Sequence, residues 1–352
     1  MHKLVFINPN HRKFSGKVID GGFSRNCAWE SWLLKEKGNL IDVKLKKGKV
    51  IHLFQIFVNL LLRKNDTVFF LYPRVGAPLY QKDGVSKVCT KAFFKGIDLA
   101  NKKNRVVFDI ADLKYEQAID LELANEDVLP RLHEIEERLF STKSYFIFAS
   151  YQMREYVCRK YNVDYAKTDV CINGGHLLKD NLSSMSVNTN IVNYVYAGTL
   201  NKGRQIEQLI SSFPDDEKIH LYLLGTNGEW INSKSKNITY LGALEEGEAQ
   251  SFVSKCDVGL IPYDNERLYY NIAYPTKLSF YLTAGIPYLS TPVAEVEREN
   301  IKIDGGWLHP ISEWNKQFLS ITKNEIKIKK QNVIQNSRNY LWDSIFEKNQ
   351  FL

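Results

Sequence analysis

Cysteine is scarce in this 352-residue sequence, and its number is odd. Cys27, Cys89, Cys158, Cys171 and Cys256 show no CxxC or Cys/His spacing. That excludes a disulfide framework and a structural zinc site, and reduced thiols in a cytoplasmic protein are expected. Long apolar runs are also lacking. The most apolar stretch, IHLFQIFVNLLL from Ile51 to Leu62, has 12 residues, against the roughly 20 that span a bilayer. The beginning, MHKLVFINPN, carries neither an apolar leader core nor a small-residue cleavage site, so no secretory signal is expected. With 20 Gly and 10 Pro, a collagen-like or linker-like chain is excluded. No G-x-G-x-x-G follows the first apolar run, where INPNHRKFSG stands, which argues against a dinucleotide-dependent dehydrogenase. No DxD pair occurs that would hold a metal, and Asp215-Asp216 and Glu245-Glu246 read as solvated loops. Neither sign of charge dominates: 47 basic and 40 acidic residues leave +7. The basic residues are spread along the chain, apart from a dense run from Lys44 to Lys49. That is not the stripe of a nucleic-acid binder, and no nucleic-acid partner is expected.

What is present can bury a core: 44% of residues are hydrophobic and 12% aromatic. The length exceeds the ~250–300 residues at which one core usually divides, so two domains are expected. Short apolar runs alternate with helical spacing through the first half. The runs are Leu4–Ile7, Val68–Leu71, Val106–Ile110, Tyr145–Ala149 and Val170–Ile172; the helical segments surround Trp29, Ser86–Ala100, Leu129–Phe140 and Met153–Tyr161. Residues 179–192 are polar and aperiodic and read as a linker. The alternation restarts with strands at Tyr194–Ala197, His220–Leu224, Ile238–Leu241, Val258–Ile261 and Pro287–Ser290. Both halves thus predict α/β units with parallel sheets. The predicted domains are 1–178 and 193–335, with 336–352 as a terminal segment. Open parallel sheets take ligands beyond the carboxyl ends of their strands.

Two segments carry chemistry. In YAGTLNKGRQIE, from Tyr196 to Glu207, a strand ends at Gly198 and a turn bears Lys202 and Arg204 before a helix. Helix amino termini and such cations suit phosphate. In the second, CDVGLIPY ends at Tyr263 and is followed by YPTKLSFYLTAGIP from Tyr274 to Pro287. Pro275 opens a helix there and Gly285 closes it. Lys277 falls in the first turn, where it opposes the helix dipole. An anion to meet explains it better than local stability does.

Together these segments resemble the nucleotide-sugar half of GT-B glycosyltransferases. They are similar to bacterial, family 4-like surface-polysaccharide transferases with P-x-K-x-x-x-Y-L-x-x-G-x-P, including the streptococcal type that extends sugars on serine-rich adhesins. The resemblance covers residues 194–290. It implies two Rossmann-like domains whose parallel sheets face each other across a cleft, and a nucleotide-sugar donor, UDP-linked, with no metal or other cofactor. It implies donor contacts from Gly198, Thr199, Lys202, Arg204, Tyr240, Gly242, Tyr274 and Lys277, with Ser15 and Gly16 in a loop near the donor. It implies a glycan or lipid-linked acceptor and a terminal helix, Ser337–Phe346, that crosses back to the first domain. The two glutamates of the retaining family are replaced by Ile272 and Phe280, which leaves the stereochemical outcome open. An inverting reaction would need a base; the candidates are Asp112 and His176, with Asp109 as competitor. The alternative is a non-catalytic subunit of this fold that binds a partner transferase or a glycan.

One segment remains. Lys44, Lys46, Lys47 and Lys49 precede the 51–62 run, and Arg63 and Lys64 follow it. Leu53, Phe54, Phe57, Val58, Leu61 and Leu62 recur at helical spacing. Such a segment is either a core helix or an interfacial helix on an anionic membrane surface.

Overall fold

The structure, a computed structural model, describes residues 3–10, 21–36, 38–46, 48–80, 83–178, 182–231 and 235–352. Two compact units emerge. Among the described residues the first comprises 3–10, Gly22–Ile172 and Phe346–Leu352, and the second is Asn173–Ile345. The division falls six residues before the boundary expected at 178, and only the last seven residues join the first unit.

The first unit holds a six-stranded parallel sheet. Its strands are β1 (Leu4–Asn8), β2 (Leu40–Lys44), β3 (Thr67–Tyr72), β4 (Arg105–Ile110), β5 (Tyr145–Phe148) and β6 (Thr168–Val170), in the order β2-β1-β3-β4-β5-β6. β1 and β3 are buried along their whole length, as strands covered on both faces require. Phe70 stacks on Phe108 across β3 and β4 at 4.9 Å. The helix Gly21–Glu36 brings Trp29 onto Phe346 of the terminal segment, stacked at 3.7 Å. That contact holds the end of the chain on this unit. Residues 336–352 do not form one helix: a 3₁₀ turn covers Ser337–Tyr340 and a short helix Trp342–Phe346. The long C-terminal helix lies earlier, at Lys323–Asn336, and starts on a Thr322/Glu325 capping box.

The second unit repeats the plan. Its strands are β7 (Val192–Ala197), β8 (Ile219–Leu224), β9 (Ile238–Gly242), β10 (Val258–Ile261), β11 (Tyr288–Ser290) and β12 (Gly306–Leu308). They pair in parallel in the order β12-β11-β10-β7-β8-β9. Tyr194 packs edge-on against Phe318 at 4.9 Å, and its hydroxyl donates to the Phe318 carbonyl. The stretch expected to be a linker is held by this unit. Ser183 is buried, its amide donates to Ser251 Oγ, and Lys255 Nζ donates to the Ser183 and Met185 carbonyls. Residues 179–181 lie outside the described residues.

Asp109 is settled by the fold. It sits fully buried on β4 and accepts from Arg25, which is buried as well. Burial pushes its carboxyl above the usual range, and Arg25 pulls it back. Arg25 also donates to the Ile172 carbonyl. Asp109 is thus a structural ion-pair partner and not a base. Removing one member strands a buried charge. Arg25→Ala should therefore cost about 3–5 kcal/mol, read as a lower urea midpoint for the first unit.

Candidate functional site

The carboxyl edge of the second sheet is built from bare backbone. β7, β8 and β9 each end in or at a glycine of positive φ: Gly198 at 148°, Gly225 at 145° and Gly242 at 75°. The Gly198 amide donates to the Leu224 carbonyl, and the Gly225 amide to the Gly242 carbonyl, both at 2.8 Å. A Cβ on Gly225 would lie 1.9 Å from the Gly198 carbonyl oxygen. No side chain fits there, so the ends of β7 and β8 pack main chain against main chain. Tyr240 leans over this ledge and its hydroxyl donates to the Gly225 carbonyl at 3.1 Å.

Cations border the ledge. Lys277 comes from the helix Thr276–Ala284. A Cβ on Gly198 would meet its Cε at 2.7 Å and its Nζ at 2.8 Å. Lys202 is exposed, with Nζ 5.3 Å from the Trp230 ring. Trp230 Nε1 in turn donates to the Leu200 carbonyl at 2.7 Å. Arg204 is half-buried and lies beside Tyr270, whose hydroxyl burial raises and Arg204 lowers. Among the described residues no carboxylate pairs with Lys202, Arg204 or Lys277. Thr199 is half-buried in the turn, where its carbonyl accepts from Tyr196 at 3.0 Å.

Several expected contacts take other roles. The helix after Arg204 spans only Ile206–Ser212, and Gln205 before it is left-handed, with φ 65°. The Gly203 amide is already taken by the Glu207 carboxylate. The glycine ledge and the cations, rather than that helix terminus, shape the edge. Tyr274 is buried, and its hydroxyl meets Ser279 Oγ at 2.8 Å, whose own proton goes to the Asn173 carbonyl. It packs the unit instead of facing a ligand. Ser15 and Gly16 lie outside the described residues.

The two base candidates sit in different units. Asp112 is half-buried just beyond β4, at the carboxyl edge of the first sheet. The neighbouring Ala111 amide donates to the Tyr72 carbonyl. His176 belongs to the second unit, with Nε2 3.8 Å from Glu246 Oε1. Burial raises the Glu246 carboxyl and His176 lowers it. Among the described residues no group of three or more His, Cys, Asp or Glu could hold a metal ion.

Sequence reasoning gave no site role to Gly225, Trp230 or Tyr263, although Tyr263 ends the second segment. For Gly225 a signal existed: AGT at 197–199 and LGT at 224–226 end successive strands alike.

The chain matches no known protein-family description and no curated protein sequence. Solved structures do resemble it. Sucrose-phosphate synthase from Thermosynechococcus elongatus superposes with a TM-score of 0.70 at 12% identity, over 98% of this chain and 96% of that one. WaaG, a glycosyltransferase involved in lipopolysaccharide biosynthesis, gives 0.62 at 12% identity, over 98% of each chain. Anabaena HepE in complex with UDP-glucose gives 0.59 at 10% identity, over 99% of this chain and 98% of that one. At such identities the likeness establishes the fold: two parallel α/β sheets in the GT-B arrangement of elements.

Gly225→Ala places a methyl group on a carbonyl at a positive φ. It should lower stability by at least ~1 kcal/mol, seen as a reduced melting temperature.

Proposed function

We propose that the protein is a glycosyltransferase that moves a sugar from a nucleotide sugar, UDP-linked, to a hydroxyl of a glycan or lipid-linked acceptor. The observation that carries this reading is the glycine ledge with Lys202, Arg204 and Lys277 beside it, unpaired with carboxylates among the described residues. When the bond from the anomeric carbon to the diphosphate breaks, negative charge grows on the leaving phosphate. Fixed cations aimed at that charge lower the barrier. They can do so without a metal, which is part of the proposal. HepE with UDP-glucose or UDP supports the choice of UDP. Tyr240 and Gly242, at the end of β9, would meet the base. The acceptor oxygen bonds to the anomeric carbon, and its proton passes to a base if the reaction inverts. Asp112 is the first candidate and His176 the second.

The acceptor reading draws support from the first unit. The helix Lys49–Leu62 is anchored through buried Leu53, Ile56 and Leu60. Its other side leaves Val50, Ile51, Phe54, Leu61 and Leu62 exposed, Phe54 at 65% and Leu62 at 77%. Val85 and Val88 of the adjoining helix Gly84–Ala100 are exposed too, with Lys87, Lys91 and Lys95 on the same helix. The segment is thus both a core helix and an apolar surface with basic surroundings. Lys44 is not free for a membrane, since it pairs with Glu30 at 3.2 Å. Peripheral docking on an anionic bilayer, at the inner face of the membrane, would present a lipid-linked acceptor. Among the described residues no helix is long and apolar enough to cross a membrane.

Calorimetry with UDP should show binding that survives a chelator; loss on chelation would mean a metal takes part. Lys277→Ala and Arg204→Ala should each lower transfer by about 10²–10³, with the melting temperature unchanged. Full activity in both would remove the diphosphate assignment. Co-sedimentation with anionic vesicles should be salt-sensitive and weakened by Phe54→Ser with Leu62→Ser. Equal absence from anionic and neutral pellets at low salt would point to a soluble acceptor.

A further inference from the structure

Lys277 lies against aromatic rings, and among the described residues no carboxylate pairs with it. Its Nζ lies 4.9 Å from the centroid of Tyr196 and 5.3 Å from that of Tyr263. The missing side chain of Gly198 leaves room for it on a third side. Each ring is itself fixed. Tyr196 is buried on β7, and its hydroxyl donates to the Thr199 carbonyl. Burial raises that hydroxyl above its ordinary range while Lys277 pulls it down. Tyr263 follows β10 and stacks on buried Tyr270 at 4.6 Å and 25°.

A carboxylate partner would neutralise the lysine, and an incoming anion would have to displace it. A π face attracts the ammonium and leaves its charge uncompensated. It also restrains a long, flexible stem before any ligand arrives. We propose that Tyr196 and Tyr263 are positioning residues whose rings hold the Lys277 ammonium over Gly198, charged and with no carboxylate partner among the described residues, for the diphosphate of a nucleotide sugar. The proposal rests on the nucleotide-sugar reading above and adds the device that orients its central cation.

UDP binding to the full chain, followed by calorimetry, provides the first test. Tyr263→Leu should weaken UDP about three- to tenfold, and Tyr263→Phe, which keeps the ring, should restore affinity to within about twofold. In a Lys277→Ala background, Tyr263→Leu should add no further loss, because no ammonium is left to hold. An equal loss with and without Lys277 would overturn the proposal, as would wild-type affinity in Tyr263→Leu. Proton NMR of the ligand-free protein keeps the question open to decision if a variant folds poorly. The Lys277 ε-methylene protons, identified by their loss in Lys277→Arg, should lie upfield of other lysines through the ring currents. They should stay there in Tyr263→Phe. An unshifted signal in the wild type would overturn the cage. If the wild-type protein does not bind UDP, the nucleotide reading itself fails; if Lys277→Ala binds UDP like the wild type, the role given to Lys277 fails and the proposal with it. If Lys277→Ala loses UDP while Tyr263→Leu does not, only the cage fails.

Discussion

The carbonyl oxygen of Gly198 occupies the place where a side chain on Gly225 would begin, at 1.9 Å from that Cβ position. This contact of backbone with backbone sets the exits of β7 and β8. It requires positive φ at both glycines and joins the ledge to β9 through the Gly225–Gly242 hydrogen bond. The same absence of side chains lets Lys277 settle over Gly198 between two rings. The candidate site is therefore a consequence of three strands ending in bare main chain. A cation then occupies the room that is left.

Charge inside the first unit and charge at the candidate site are handled in opposite ways. In the first, charge is buried and compensated. Arg25 and Asp109 form one such pair. Glu116 accepts from Lys160 and from the Tyr156 hydroxyl, with Glu136 nearby. Burial first, and Glu116 second, push the Glu136 carboxyl well up, while Lys160 pulls it down. Buried, paired charges of this kind bring little net stability. At the edge of the second sheet, Lys277 and Lys202 lie against rings, and Arg204 is half-buried. Among the described residues no carboxylate compensates them.

Much of the α/β plan was legible in the sequence because interior parallel strands are covered on both faces and so read as unbroken apolar runs. VFFL, VVFDI and YFIF all lie within strands of the first sheet. β2 was missed: LIDVK is only half-buried and shows no such run. β12, of three residues, gave as little signal. The terminal segment Ser337–Phe346 was expected to be one helix on the resemblance, and it is a 3₁₀ turn followed by a short helix. In the structure the Gly175–Leu341 bridge interrupts it.

For the candidate site, the sequence by itself determined the residues whose signal is local. Gly198 and Gly242 close strands, and Lys277 stands in a first helical turn opened by Pro275. Glycine, proline and charge at an element's end act within a few residues, so spacing alone reveals them. Tertiary structure alone decided that Tyr274 turns inward to Ser279, that Asp109 belongs to Arg25, and that Glu207 takes the Gly203 amide. It also decided that Tyr196 and Tyr263 flank Lys277, although 67 residues of chain separate the two rings. Those roles depend on which side chains the parallel crossovers bring together. The strand order β10-β7-β8-β9 fixes that, and residue spacing along the chain carries no record of it.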